Sequence, residues 1–169
     1  MPPNLLHLLM FWYANQKFQI GWGGVRSQKF STTNGIRQGG LISPLLFNVY
    51  MDNLSCKLNV LGVGCYVSNT CINHICYADD LVILAPSVRA LQCLLDQCSK
   101  YAEEHDVTFS VGVDGKSQCM ICWLRKYRSK FLPSFSLSGV VLPIVDRYEY
   151  LGYTVRDNQQ DDDEMVKRV

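Results

Sequence analysis

The 169 residues are 48% hydrophobic and 18% charged with a net charge of +1, which is typical of one globular domain with a core and excludes a disordered chain. The charge is uneven, because no Asp or Glu precedes Asp52, while the last acidic residues form the run Asp161–Glu164. A basic first third suits a polyanionic partner, although an ordinary solvated basic face explains the same charges.

The first predicted element is a helix at Leu5–Asn15 with an apolar face. The apolar stretch Leu5–Ala14 is shorter than the roughly 20 residues that a membrane-spanning helix needs. No Lys or Arg precedes it, and no clear cleavage site follows, so it does not fit a signal peptide either. We therefore expect a buried amphipathic helix in an intracellular protein that does not enter a membrane.

The first half of the chain then predicts two short strands, a Gly-rich loop and a helix, at Ile20–Trp22, Gln28–Thr32, Asn34–Gly40 and Ser43–Leu61. Ser43 as N-cap and Pro44 at the first helical position favour a helix start there. Gly62 is a typical stop for that helix.

The second half predicts three strands, a helix and a further set of strands. The first three strands are Val63–Ser68, Cys71–Tyr77 and Leu81–Leu84, and the helix runs from Pro86 to Glu104. The later strands are Val107–Val111, Gln118–Trp123, Phe135–Leu137, Val140–Ile144 and Tyr148–Val155. We expect residues 1–155 to form the domain and residues 156–169 to be a polar acidic tail.

The eight cysteines raise the question of a zinc site or disulfides. Only Cys119 and Cys122 have a metal-like spacing. On a strand, residues three apart point to opposite faces, so these two sulfurs do not converge on one ion. No second CxxC or His pair completes a tetrahedral site. Buried thiols in a reducing compartment are the preferred interpretation, and zinc is the alternative.

Asp79 and Asp80 lie in a tight turn between two strongly apolar predicted strands. A surface hairpin turn alone explains two aspartates, since Asp is a favoured turn residue. The apolar flanks indicate a hairpin that is buried on at least one face, where adjacent carboxylates repel each other unless a cation neutralises them. Magnesium, which takes oxygen ligands, is the natural candidate.

The loop Asn34–Gly40 is the second segment with chemistry. The pair Gly39 and Gly40 lets the backbone approach a ligand closely, and Arg37 offers a guanidinium to phosphate. Gln38 adds an amide. The alternative is an ordinary loop that leads into a helix.

Together these segments resemble the reverse transcriptase domain of non-LTR retrotransposons. Asn34–Gly40 with Ser43–Asp52 is similar to that family's template- and nucleotide-facing segment, and Tyr77–Asp80 is similar to its metal-binding hairpin. Asp114–Ser117 is similar to its lysine-bearing segment, and Tyr148–Gly152 to its primer-gripping hairpin. The four motifs occur in the family's order over nearly the whole chain.

The resemblance implies catalysis with two magnesium ions, held in part by Asp79 and, secondarily, Asp80. It implies template and nucleotide contacts from Arg37–Gly40, and RNA or DNA template-primer and deoxynucleotides as partners. Lys116 is the implied proton donor to the pyrophosphate, although a solvated turn lysine explains it without the resemblance. Tyr150, Leu151 and Gly152 are the implied primer grip, and a plain strand ending in Gly is the alternative.

The chain departs from the family in one respect. The family has a further catalytic Asp on a strand before the first helix, and no carboxylate precedes Asp52 here. Asp52 does not replace it, since its spacing puts it in the middle of the helix that begins at Ser43. The resemblance thus implies an α+β fold, a partial polymerase palm with a split βαβ-like antiparallel sheet and packed helices, whose first catalytic strand is missing. We expect this chain to be inactive by itself.

Without that strand, Leu81–Leu84 has two possible surroundings. It has either an unpaired edge with exposed apolar side chains, or a direct pairing with Val107–Val111 or Gln118–Trp123. In either case Asp79 is expected at the tip of an antiparallel hairpin between Cys71–Tyr77 and Leu81–Leu84.

Two functions remain as alternatives: part of an RNA-directed DNA polymerase, and a non-catalytic retroelement remnant that binds nucleic acid weakly. An RNA-copying RNA polymerase is disfavoured, because those enzymes usually have Gly where Ala78 stands and lack the run Arg37–Gly40. A group II intron maturase fits the stretches Tyr50–Asp52 and Tyr148–Val155 less well. The basic patch Arg125–Lys130 suits either a nucleic-acid backbone contact or a solvated loop. The oligomeric state is not predicted.

Overall fold

The first unit of the chain is a helix followed by a narrow antiparallel ribbon. The computed structural model describes residues 2–32, 35, 37, 39–123 and 131–157, which divide into compact units at Met1–Asn48 and Val49–Val169. Helix α1 covers Pro3–Ala14, and the strands are β1 Lys17–Phe18, β2 Gly21–Trp22, β3 Val25–Arg26 and β4 Phe30–Ser31. β2 pairs with β3 and β1 pairs with β4. The ribbon turns at Gly23 and Gly24, whose φ angles of 54° and 83° favour glycine.

Helix α1 confirms the predicted helix, but the prediction that it is buried was wrong. None of its residues is buried, and Leu8, Met10 and Phe11 are more than half exposed. The reason is that apolar residues lie on all sides of α1 rather than on one stripe, so a single packed face does not cover them.

Helix α2 covers Ser43–Val60, close to the predicted bounds. Its first turn differs from the prediction that Ser43 is the N-cap. The Leu46 N–H donates to the Ile42 carbonyl, and the Ser43 hydroxyl donates to the Arg37 carbonyl at 2.5 Å. Ser43 therefore ties the loop to the helix start instead of acting as N-cap. At the other end, Gly62 has a φ of 61° and donates to the Asn59 carbonyl, which confirms the predicted stop.

The core of the second unit lies between α2 from Val49 onward and helix α3, Val88–His105. Ser87 is the N-cap of α3 and accepts the Ala90 N–H, and Asp106 ends it in the left-handed conformation. Each fully buried leucine contributes about 1.5–3 kcal/mol through the hydrophobic effect. The buried apolar side chains are Leu54, Leu58, Leu94, Leu95, Cys98, Tyr101, Cys119, Phe135, Leu137 and Leu142.

Two consecutive hairpins lie between α2 and α3. The strands of the first are β5 Cys65–Val67 and β6 Thr70–Ile72, and those of the second are β7 His74–Tyr77 and β8 Asp80–Ile83. The strand predicted at Cys71–Tyr77 is thus interrupted at Asn73, which is only 1% exposed. The Asn73 side-chain amide donates to the carbonyls of Leu58 and Val63, at 2.8 and 3.0 Å. Its backbone carbonyl accepts the Leu84 N–H at 2.8 Å.

Replacing Asn73 by alanine should lower the free energy of unfolding by about 2–4 kcal/mol, because two buried carbonyls lose their donor. Urea denaturation followed by circular dichroism measures this. Asn69→Ala, at an exposed turn residue of the first hairpin, is the matched control and should change the free energy of unfolding by less than about 0.5 kcal/mol. Equal effects of the two substitutions would contradict this role of Asn73.

The segment after α3 contains less strand than predicted. Val107–Val111 forms no strand, since Phe109 and Val111 pack on the core while Ser110 accepts hydrogen bonds from the loop residues Lys116 and Ser117. Strand β9 is only Cys119–Met120 and pairs in parallel with β12, Ile144–Val145. The remaining hairpins are β10 Ser136–Leu137 with β11 Val140–Val141, and β13 Arg147–Tyr150 with β14 Tyr153–Arg156. The predicted basic patch Arg125–Lys130 and the acidic run Asp161–Glu164 lie outside the described residues.

The α+β class is confirmed: three helices and small, mostly antiparallel sheets make up the described residues. Each described sheet has two strands, and β8 pairs only with β7. Two arrangements were predicted for Leu81–Leu84: an unpaired strand edge, or pairing with a later strand. The structure shows the first, because one edge of β8 has no partner among the described strands. The expected exposure of its apolar side chains was wrong, because Leu81 and Ile83 are half-buried against the core. None of the helices in the described ranges combines the length and apolar character that a membrane span requires.

Candidate active site

The tip of the β7–β8 hairpin carries the two aspartates. Tyr77 pairs with Asp80 across the strands, so Ala78 and Asp79 form the turn. Ala78 has a φ of 51°, the left-handed value that such a tight turn requires. The prediction that Asp79 lies at the tip of an antiparallel hairpin is confirmed. Both carboxylates are exposed, so they are accessible to a ligand.

This pair of carboxylates has the donor chemistry of part of a magnesium site. Oxygen ligands on adjacent residues suit a hard cation. Among the residues that the structure describes, no group of three or more His, Cys, Asp or Glu side chains is placed to hold a metal ion. Within the described ranges the residues therefore fit two ligands of such a site, and no third ligand is placed beside them.

The β13–β14 hairpin brings a tyrosine next to this tip. Tyr150 pairs with Tyr153, and Leu151 and Gly152 form the turn with φ angles of 51° and 82°. The Tyr150 hydroxyl is buried and has no hydrogen-bond partner among the described residues. Burial and, after it, the nearby Asp80 carboxylate raise the pKa of Tyr150. Tyr150 of the predicted primer grip therefore lies within range of the charge of Asp80, one of the predicted metal ligands.

All eight cysteines are free thiols, but only Cys98 and Cys119 are buried, so the prediction of buried thiols was wrong for the other six. Burial and then the neighbouring Cys76 raise the pKa of Cys98 to about 12. Burial also raises the pKa of Cys76, although a hydrogen bond with Ser55 opposes this. Thiols with raised pKa values stay protonated at neutral pH, and a zinc ligand must be a thiolate. In the CxxC pair, Cys119 is buried and Cys122 is exposed, so these sulfurs face different environments.

Lys116 lies in an exposed turn. Its backbone N–H donates to the Ser110 hydroxyl at 3.1 Å. A side chain at Gly115 would collide with the Val111 backbone, which explains the glycine before Lys116. Within the described ranges, Lys116 forms no salt bridge with Asp79 or Asp80. The role predicted for Lys116 therefore stays a prediction.

The predicted template-facing loop belongs to the first unit. Arg37 is exposed, and its carbonyl accepts the Gly40 N–H at 3.1 Å. Gly39 has a φ of 76°, and a Cβ at Gly40 would lie 2.5 Å from the Ser43 hydroxyl, so both positions require glycine. Gln38 lies outside the described residues. The Arg37 side chain is thus accessible to solvent.

One residue that fixes the hairpin was not predicted. Asn73 immediately precedes β7 and anchors it to the end of α2. A sequence signal existed, because Asn73, followed by His74, interrupts the apolar residues of a predicted buried strand. Such a residue favours a break in the strand when buried carbonyls require donors.

A family model of reverse transcriptase (RNA-dependent DNA polymerase) matches residues 2–155. This chain belongs to the reverse transcriptase family. The match includes all four motifs on which the resemblance rests.

The chain is also similar to individual known proteins of retrotransposons. The chain is 32% identical, over 89% of its length, to a Retrovirus-related Pol polyprotein from type-2 retrotransposable element R2DM of Drosophila melanogaster. It is 27% identical, over 77% of its length, to a Pol polyprotein from type-1 retrotransposable element R2 of Popillia japonica. An RNA-directed DNA polymerase from mobile element jockey of Drosophila funebris is 25% identical over 90% of the chain. These matches confirm the resemblance to non-LTR reverse transcriptases.

The chain is short compared with these relatives. The matched segment spans 14% of the Drosophila melanogaster protein, 19% of the Popillia protein and 16% of the jockey polymerase. The complete polymerases therefore contain many residues that have no counterpart in these 169.

Proposed function

We propose that this reverse transcriptase segment supplies the aspartate hairpin and the primer-gripping hairpin of an RNA-directed DNA polymerase. The observation that carries the proposal is the Tyr77–Asp80 turn, with Asp79 at its tip and the Tyr150 hydroxyl near Asp80. In a polymerase the end of the primer must lie close to the metal ligands, and the influence of the Asp80 charge on Tyr150 supports this pairing of the two hairpins. Template-primer and deoxynucleotides are the proposed partners of the complete enzyme.

Asp79 is the proposed principal metal ligand, and Asp80 the secondary one. Two magnesium ions, when bound in the complete enzyme, activate the primer hydroxyl and stabilise the leaving pyrophosphate. The exposed turn leaves the Asp79 carboxylate accessible, whereas Asp80 begins β8 and is fixed by its pairing with Tyr77. This difference in position supports the order of the two roles.

The other predicted residues have roles in binding and proton transfer. Arg37 contacts a phosphate, while Gln38, Gly39 and Gly40 face template and incoming nucleotide. Gly39 and Gly40 suit this role because neither has a side chain that would keep a ligand from the backbone. The φ of 76° favours glycine at position 39, and a Cβ at position 40 would lie 2.5 Å from the Ser43 hydroxyl. Tyr150, Leu151 and Gly152 hold the primer end. Lys116 is the proposed proton donor to the pyrophosphate, and its exposure to solvent supports this role.

No Asp or Glu precedes Asp52, so the proposal assigns the remaining carboxylate of the site to another segment of the complete enzyme. The unpaired edge of β8 is the proposed position for the strand that carries it. This edge lies beside Asp80, and Leu81 and Ile83 already pack on the core beneath it. A strand that pairs there extends the sheet next to both aspartates and completes the ligand set.

Primer extension tests the proposal in two parts. The 169-residue chain alone, given an RNA template, a DNA primer, deoxynucleotides and magnesium, should extend nothing, because two carboxylates hold magnesium weakly. A chimera in which residues 2–155 replace the matched segment of the R2 relative from Drosophila melanogaster should extend the primer. A correctly folded chimera that is inactive would contradict the polymerase proposal and favour a non-catalytic remnant. Extension by the isolated chain would contradict the incomplete ligand set.

A further inference from the structure

The first unit of the chain has positive charge that no carboxylate in the unit balances. Residues 1–48 contain no Asp or Glu, and their cations are Lys17, Arg26, Lys29 and Arg37. Three of these, Lys17, Arg26 and Lys29, lie on or beside the ribbon formed by β1–β4. All three are exposed and form no ion pair with any described residue. A surface of this kind attracts a polyanion.

The tip of the ribbon presents a tryptophan to solvent. Trp22 is 87% exposed, twice the 43% of Trp12 on α1. It is the last residue of β2 before the turn at Gly23 and Gly24. A Cβ atom added at either glycine would have no atom of the rest of the chain within 4 Å. The indole ring therefore lies beside an open turn, where a flat ligand has room to approach it.

The strand register places the aromatic and cationic groups on one narrow ribbon. Trp22 pairs with Val25, and Gly21 pairs with Arg26, so consecutive pairs lie on opposite faces. Gly21 has no side chain, and no atom lies within 4 Å of its would-be Cβ, so nothing from β2 covers Arg26. At the base of the ribbon, Phe18 pairs with Phe30, which immediately follows Lys29. Trp22 and Arg26 thus lie on opposite faces, so a strand that contacts both of them has to run along the edge of the ribbon.

We propose that this ribbon binds single-stranded nucleic acid, with a base stacked on Trp22 and phosphates contacted by Arg26 and Lys29. The combination of an exposed aromatic ring with unpaired cations is what single-stranded nucleic acid requires, because every base has a face to stack and every linkage has a charge. The site is separate from the Arg37–Gly40 loop. It rests on the proposed function only in the choice of nucleic acid as the partner.

Tryptophan fluorescence of the 169-residue chain tests the stacking. With Trp12→Phe and Trp123→Phe in place, Trp22 is the only tryptophan left of the three. Titration with an oligouridylate and with an oligodeoxythymidylate distinguishes RNA from DNA as the source of the strand. Stacking should quench the Trp22 emission with at least one of them. An unchanged emission with both would overturn the proposal.

Two substitutions of the same residue separate stacking from simple apolar burial. Trp22→Leu keeps an apolar side chain without a ring and should weaken oligonucleotide binding roughly 5- to 100-fold, measured by anisotropy of a labelled strand. Trp22→Phe keeps a ring and should retain most of the affinity. Because Trp22 is exposed, neither change should alter the circular dichroism spectrum. Equal affinity of Trp22→Leu and the unsubstituted chain would overturn the proposal, as would equal losses in both variants.

The phosphate contacts of the cations are tested separately, by the salt dependence of binding. Arg26→Gln should weaken binding of both oligonucleotides alike and reduce the slope of log affinity against log salt by about 0.7. An unchanged slope would overturn the assigned phosphate contact. These results do not depend on catalysis, so they can fail while the chimera remains active, and the chimera can be inactive while Trp22 still binds.

Discussion

Alanine at Asp79 should reduce kcat of the chimeric polymerase by at least about 100-fold, since losing a metal ligand costs more than losing a residue that only orients one. The residue lies at the tip of the β7–β8 hairpin, where its carboxylate is exposed and free to coordinate. Removing the carboxylate should leave the hairpin itself intact, because Asp79 belongs to the turn and not to the paired residues. Single-turnover primer extension on an RNA template measures the effect.

Two further substitutions make this result specific. Asp80→Ala should also lower kcat, but less, as expected of a secondary ligand. Asp96→Ala is the matched carboxylate control, since Asp96 is exposed on α3 and accepts a hydrogen bond from Gln92 at 2.7 Å. It should leave kcat unchanged. A chimera with Asp79→Ala that is as active as one with Asp96→Ala would show that the hairpin is not the metal-binding element.

The substitution Tyr101→Ala should lower the free energy of unfolding of the chain by about 3–5 kcal/mol, the range for truncating a buried aromatic side chain. Tyr101 is fully buried, and its hydroxyl donates to the Tyr50 carbonyl at 2.5 Å, which links α3 to α2. Its ring stacks on His105 with centroids 4.0 Å apart. The loss therefore combines a cavity, an unpaired carbonyl and a broken stack.

Urea denaturation at neutral pH measures this change, with Tyr101→Phe as the matched control. The phenylalanine keeps the ring and loses only the hydrogen bond, so it should cost about 1 kcal/mol. Near-equal costs for the two variants would mean that the hydroxyl, rather than the packing of the ring, holds α3 against α2. A cost below about 0.5 kcal/mol for Tyr101→Ala would contradict its place in the core.

The elements of this chain that could be predicted are those whose signals are local. Asp79 between two apolar runs indicated the hairpin, and Gly62 and Ser87 mark helix ends that depend on neighbouring residues. The β13–β14 hairpin was likewise predictable as strand from Tyr148–Val155. The four family motifs are also short contiguous segments, so the family could be predicted from the sequence alone.

The errors came from long-range packing. Val107–Val111 has the residues of a strand, but no described strand pairs with it, so its apolar side chains pack on the core without a ladder. The break at Asn73 depends on carbonyls of Leu58 and Val63, which lie 15 and 10 residues away. Helix α1 was expected to be buried from its composition, yet composition does not say whether a covering surface lies in the same unit. The approach of Tyr150 to Asp80 also joins hairpins that are distant in sequence, and no local pattern encodes it.

Paramagnetic broadening by manganese tests most directly whether the β7–β8 hairpin binds a divalent cation. Mn²⁺ replaces Mg²⁺ at oxygen ligands, and it broadens the amide signals of nearby residues in a ¹⁵N–¹H spectrum of the 169-residue chain. Asp79→Asn should abolish the effect at the hairpin while Asp96→Asn leaves it unchanged. We predict broadening centred on Ala78, Asp79 and Asp80, and extending to Tyr150. Broadening confined to the acidic run Asp161–Glu164, with the hairpin signals intact, would contradict the account.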